Sequence, residues 1–239
     1  IRMTNRELSV EARLELVKQV MEAVIYAHQN LVVHRDIKPN NVLVNEQGEV
    51  KLLDFGIAKL REDTRVQHQT HLPTKIGTRM GTPAYMSPEQ VRATEPTDAR
   101  TDIYSLGATL HEMLTGHPPF TDSSSSALAR RILEDPAPNP CLRNASIPKD
   151  FGIIVQVALD RDLARRYQSA LELADDLRRV RTREPILARP PSNVLRARRW
   201  VQRNPAKASF LSLLGLALAI TGWLYYQSAR AYTNLAQVS

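Results

Sequence analysis

Four side chains between residues 36 and 54 have the types and spacing of a phosphoryl-transfer site. Asp36, Lys38, Asn41 and Asp54 form a series in which the last three stand at +2, +5 and +18 from the first. A carboxylate can orient a hydroxyl and take its proton, and an ammonium can sit on a transferring phosphate. An amide oxygen and a second carboxylate are hard ligands suited to Mg²⁺. These residues lie in two strings, HRDIKPNN at 34–41 and DFG at 54–56. Either tripeptide, HRD or DFG, occurs by chance. Taken singly, Asp36 is an ordinary loop carboxylate, Lys38 a solvated cation and Asn41 a turn former. The spacing and order carry the signal.

The elements that must hold these groups are short. The runs VLV at 42–44 and VKLL at 50–53 flank NEQG at 45–48, the pattern of a β-hairpin. Residues 8–30 read as an amphipathic helix with Ser9 as N-cap and Leu14, Val17, Met21, Val24 and Ile25 as its apolar stripe. LVV at 31–33 reads as a short β-type run. Residues 56–87 lack strong periodicity and read as a long loop, a length uncommon unless the segment is functional or disordered. A second helix is expected over 101–114, apolar through Ile103, Leu106, Leu110 and Met113 and ended by GHPP. Further helices are expected over 127–133, 151–159 and 169–180, with loop over 136–148.

The charge is unevenly placed. Of a net +7, residues 1–177 hold 21 Lys/Arg against 24 Asp/Glu, while residues 178–207 hold ten basic residues against Glu184 alone. A basic stretch so confined argues against nucleic-acid binding. The next stretch explains it: residues 208–226, ASFLSLLGLALAITGWLYY, are uncharged. As a helix they span about 28 Å, close to the hydrocarbon thickness of a bilayer. Trp200 lies before them, and Trp223, Tyr225 and Tyr226 fall where an aromatic belt would. A transmembrane helix is expected over 208–226, with the basic flank cytoplasmic and residues 227–239 on the other side. The Arg-rich linker over 181–207, broken by Pro185, Pro190 and Pro191, also suits anionic lipid headgroups. The single cysteine, Cys141, excludes an internal disulfide and suits a reducing compartment. His68 and His71, with His28, His111 and His117 elsewhere, have no Cys or carboxylate partner at ligand spacing, so structural zinc is not expected.

The two strings resemble the catalytic and metal-binding loops of eukaryotic-type protein kinases. The likeness continues in order. MGTPAYMSPE at 80–89 is similar to the end of the family's activation segment, with Ser87 in place of the usual Ala. DARTDIYSLG at 98–107 is similar to the start of its buried central helix, and residues 160–167 to the segment whose arginine pairs with the preceding glutamate. Residues 1–180 are thereby identified as a kinase large, C-terminal lobe. The fold expected is mainly α, with a small β-hairpin at the active site, followed by a single transmembrane helix. The layout of kinase, basic linker and membrane helix resembles bacterial membrane-anchored Ser/Thr kinases.

The resemblance implies roles residue by residue. Asp36 would orient or accept the substrate hydroxyl proton, and Lys38 would contact the γ-phosphate of ATP. Asn41 and Asp54 would hold Mg²⁺, and Leu43 would lie under the adenine. His34, Phe55 and Gly56 would position the loops, and Asp102 would hydrogen-bond the catalytic-loop backbone. Glu89 would pair with Arg166. Arg35 would receive a phosphate placed on the activation segment, with Thr74 and Thr78 the foremost sites and Thr64 and Thr70 behind them. Thr82 would pack against Asp36 and Lys38. The partners implied are protein substrates, the membrane and, for trans-autophosphorylation, a second copy of the chain. Nucleic acid is not among them.

The glycine-rich phosphate loop and the lysine strand of the family's small lobe have no counterpart before residue 8. Without those groups the remaining residues position ATP poorly, so these 239 residues alone are expected to be inactive. Two other readings stay open: a kinase-like binding scaffold without catalysis, and the output lobe of a membrane receptor.

Overall fold

The computed structural model describes residues 8–53, 83–93, 97–189, 201 and 204–236. The chain forms two compact units, residues 1–190 and 191–239.

The first unit is built around a helix that is buried on all sides. Helix α3 (Ala99–Thr115) buries Thr101 to His111 without interruption, and Met113 and Leu114 beyond. A helix can be buried on all its faces only where neighbours cover all of them. The cover comes from α1 (Val10–Gln29), α5 (Lys149–Ala158) and α6 (Ala170–Thr182). Gly107 allows α5 to come close: a Cβ there would lie 2.6 Å from the Cβ of Ala158. Asp98 caps the helix start by accepting from the Arg100 N–H at 2.8 Å, and Gly116 closes its end at φ 75°. Arg13 of α1 donates to Met113 O at 2.9 Å. His111, inside the helix, has Nδ1 2.9 Å from His117 O beyond the helix end, and burial pushes its imidazole down to about 4.

Helix α1 starts where Ser9 accepts from the Ala12 N–H. Its buried face runs through Leu16, Val17, Val20, Met21, Val24 and Ala27, whereas Leu14 and Ile25 are only half-buried. The expected β-type run at 31–33 is instead the close of α1. Leu31 takes φ 60°, its N–H reaches His28 O at 3.0 Å, and the Val32 N–H reaches Ala27 O at 2.9 Å. These two bonds use helix carbonyls that a strand would have left unpaired.

The hairpin follows. Strands β1 (Val42–Val44) and β2 (Val50–Leu52) pair antiparallel, with Leu43 opposite Lys51. Asn45 Oδ1 accepts from the N–H groups of Gln47 and Glu49 and folds the turn. Gln19 docks the hairpin on α1: its Nε2 donates to Gly48 O, and its Oε1 accepts from the Val50 N–H. Val42 and Val44 are buried, while Leu43 points outward and is 51% exposed.

Helix α2 (Pro88–Arg92) directly follows the stretch 56–87 expected as loop; it was not expected, being too short for periodicity to reveal. The third expected helix is α4 (Ser125–Glu134), capped by Ser124. α5 and α6 each differ from the expected ranges by two residues or fewer at either end. In the second unit the described residues form α7 (Pro205–Ala236) and the turn just before it.

After α6 the chain is fastened rather than free. Asp176, 1% exposed, accepts from the Tyr167 hydroxyl at 2.9 Å and from the N–H groups of Leu187 and Ala188 at 2.7 and 2.9 Å. Ile186 and Ala188 pack against the core. Asp176→Ala orphans these donors and is expected to cost about 2–4 kcal/mol. It should lower the unfolding midpoint and expose the bonds after Arg181 and Arg183 to trypsin. An unchanged midpoint and unchanged cleavage would contradict the fastening.

Candidate active site

The turn at residues 34–41 leaves the helical core and must be shaped by side chains. Asp102, in the first turn of α3 and wholly buried, does much of this. Its Oδ2 accepts from the His34 N–H at 2.8 Å and its Oδ1 from the Arg35 N–H at 2.7 Å. His28 Nε2, at the end of α1, also lies 2.8 Å from Oδ2. Arg35 is thereby held at φ 65°, a left-handed conformation uncommon for a residue with a Cβ.

His34 is buried inside the turn. Its Nδ1 lies 3.3 Å from the Asp36 N–H and its Nε2 3.0 Å from Leu53 O. An N–H on one side and a carbonyl on the other assign the ring proton to Nε2. His34 thus ties the turn to the end of β2.

Asp36, Lys38 and Asn41 form one cluster. Lys38 Nζ donates to Asp36 Oδ2 at 2.7 Å. Asn41 Nδ2 donates to the same oxygen at 3.0 Å and to Asp36 O at 2.8 Å. Two donors converging on one oxygen fix the carboxylate plane. The Asn41 amide nitrogen is committed to Asp36, so its Oδ1 is the atom that can face a cation. An amide oxygen is a hard ligand of the kind Mg²⁺ takes. The outward Leu43 side chain offers an apolar surface two residues from Asn41. Asp54, Phe55, Gly56, Thr64, Thr70, Thr74, Thr78 and Thr82 lie outside the described residues.

A second polar cluster stands behind the first. Arg166 donates from Nη1 and Nη2 to the two Glu89 oxygens at 2.7 and 3.2 Å, and the paired side chains are 0% and 5% exposed. The same guanidinium reaches Arg100 O at 2.7 Å and Asp160 O at 3.0 Å, and lies 5.2 Å from the Tyr104 ring centroid. Thr101 donates to Glu89 Oε1 at 3.0 Å. Burial alone would push the Glu89 carboxyl up; the Arg166 guanidinium outweighs it and holds the carboxyl below its ordinary value.

Sequence reasoning missed His28 and Gln90. Gln90 Nε2 donates to Arg35 O at 2.7 Å, while Gln90 Oε1 accepts from the Ser87 N–H at 3.0 Å. The signal was present, since Ser87 and Gln90 have the S-x-x-Q spacing of a capping box. Arg35 Nε is buried and has no partner among the described residues.

A family model described as "Protein kinase domain" matches residues 2–176. The chain is 38% identical over 183 residues to serine/threonine-protein kinase PknB of Mycobacterium tuberculosis, covering 76% of this chain and 28% of that protein. It is 37% identical over 174 residues to a probable serine/threonine-protein kinase of Clostridium perfringens, covering 73% of this chain and 24% of that one. The chain therefore spans about a quarter of the length of these relatives. Among solved structures it is similar to Rad53 residues 1–466 in complex with AMP-PNP, at a TM-score of 0.56 and 25% identity. That match covers 73% of this chain and 41% of the other.

Arg166→Met leaves Glu89 as a lone buried carboxylate and is expected to cost about 3–5 kcal/mol. Adding Glu89→Gln should recover part of that loss. Because Glu89 is held below its ordinary value, the pair contributes fully above about pH 4.5 and is lost as pH falls through the folded value. A urea midpoint unchanged in Arg166→Met would contradict this account.

Proposed function

The chain belongs to the protein kinase family, and from that premise we propose that the protein it comes from transfers the γ-phosphoryl group of ATP to serine and threonine hydroxyls of other proteins. The observation that carries this reading is the convergence of Lys38 and Asn41 on one oxygen of Asp36. A carboxylate held in a fixed plane is suited to orient a hydroxyl and to take its proton as the oxygen–phosphorus bond forms. Lys38 supplies positive charge beside that carboxylate, where charge on the transferred phosphoryl oxygens must be neutralised. Asn41, through Oδ1, and Asp54 would hold Mg²⁺, which when bound would offset phosphate charge. Leu43 would meet the adenine with its exposed side chain.

His34 and Asp102 act on the turn and not on substrate, and Glu89 with Arg166 fixes the segment that ends at α2. Phe55 and Gly56 belong with the metal-binding string. Arg35, whose buried Nε lacks a described partner, is suited to a phosphate on Thr74 or Thr78, with Thr82 packing near Asp36 and Lys38. A binding-only scaffold has no use for Asp36, Lys38, Asn41 and Asp54 together, and the catalytic reading is preferred for that reason.

Residues 205–223 of α7 are long and apolar enough to cross a membrane, with mean hydropathy 1.4. Phe210, Leu213, Leu216, Leu218 and Trp223 are all more than half exposed, so the helix carries its apolar surface outward. This supports a single-pass anchor with the kinase lobe on the cytoplasmic side of the cell membrane, the basic stretch 178–207 flanking it.

The test uses the full-length protein with Mg·ATP and a protein substrate, reading phosphoserine and phosphothreonine by mass spectrometry. Asp36→Ala and Asp54→Ala should each reduce transfer at least about a hundredfold with an unchanged unfolding midpoint. Transfer retained in either variant would overturn the assigned roles. Membrane attachment predicts that the protein resists alkaline extraction and that removing residues 208–226 releases it. Release of the unaltered protein by alkali would overturn the anchor.

A further inference from the structure

We propose that Gln90 is a positioning residue for Asp36: its side-chain amide sets the plane of the Arg35–Asp36 peptide and so couples the start of α2 to the turn that carries the reactive carboxylate. This rests on the reading of Asp36 as the group that orients the substrate hydroxyl.

The peptide groups of residues 34–36 are pinned in succession. Asp102 takes the N–H groups of His34 and Arg35, Gln90 Nε2 donates to Arg35 O at 2.7 Å, and the Asp36 N–H faces His34 Nδ1 at 3.3 Å. Arg35 O and the Asp36 N–H belong to one peptide plane. Gln90 therefore holds one edge of that plane and His34 the other. Arg35 stands at φ 65°, where a side-chain-bearing residue persists only if its surroundings enforce it. Without the donor, this carbonyl loses its partner and the plane can rotate. Rotation about the bonds flanking Asp36 would carry its carboxylate away from Lys38 and Asn41.

The other end of the amide is fixed just as firmly. Oε1 accepts from the Ser87 N–H at 3.0 Å, and the Gln90 N–H reaches Ser87 Oγ at 3.4 Å. A flipped amide would set oxygen against the Arg35 carbonyl and N–H against the Ser87 N–H, so the network allows one orientation. If Gln90 served only the helix start, Glu would do equally well, because Ser-x-x-Glu is also a capping box. A carboxylate cannot donate to Arg35 O. Gln therefore satisfies both ends where Glu satisfies one.

Gln90→Glu keeps the cap and removes the donation, Gln90→Met removes both at similar size, and Ser87→Ala weakens the cap and leaves the donation. In the full-length protein, Gln90→Glu and Gln90→Met should lower kcat about tenfold, about 1.4 kcal/mol of barrier, with KM for ATP within twofold. Ser87→Ala should leave kcat unchanged. Wild-type kcat in Gln90→Glu and Gln90→Met, or an equal loss in Ser87→Ala, would overturn the proposal. A second readout does not need catalysis: amide hydrogen exchange over residues 34–37 should rise in both Gln90 variants and not in Ser87→Ala. Unaltered exchange in the Gln90 variants would overturn the coupling. Raised exchange in the Gln90 variants, together with a wild-type protein that transfers no phosphate, would leave the contact standing and remove the catalytic reading instead.

Discussion

Asp102 has no exposed surface, and both its oxygens are occupied by donors that have no place in a helix or sheet. The His34 and Arg35 N–H groups sit in an irregular turn, where nothing in the backbone ladder can pair with them. Burying the carboxylate is costly unless such donors meet it, and leaving the donors unmet is costly in turn. Each therefore stabilises the other, and the turn inherits its geometry from α3. That helix is in turn enclosed by α1, α5 and α6. The position of Asp36 is thus referred back, through one buried carboxylate, to the most densely covered element of the lobe.

The same device recurs. Glu89 takes the Arg166 guanidinium, and Arg166 also satisfies the carbonyls of Arg100 and Asp160. Asp176 takes the N–H groups of Leu187 and Ala188 after the last helix of the lobe. In all three places a buried carboxylate fastens, directly or through an arginine, a segment that has left regular structure. The apolar core alone could not do this, because hydrophobic burial has no direction and does not choose among loop conformations. Directional bonds to buried acids make that choice.

These bonds also mark where sequence reading ran out. The string HRDIKPNN and the hairpin that follows were legible because their residues touch neighbours a few positions away, as Asn41 touches Asp36. The central helix was legible because Ile103, Leu106, Leu110 and Met113 recur at helical spacing. His28 and Gln90 were not, since their partners lie 74 and 55 positions away and neither carries a local signature of that contact. LVV at 31–33 was misread as strand for a related reason. β-branched residues favour strands only when a neighbour is there to pair, and here the helix end claimed the Leu31 and Val32 N–H groups first.

The cluster around Asp36 and the neighbouring Leu43 differ in how far their partners are already in place. Lys38 and Asn41 are each bonded to Asp36, so these three side chains hold their arrangement without a further partner. Leu43, by contrast, alternates with two buried valines and yet stays half exposed. A strand side chain cannot turn inward without shifting the register by one residue, which would expose Val42 and Val44. The outward Leu43 is therefore forced by the burial of its neighbours, and its surface stays open without any rearrangement of the hairpin.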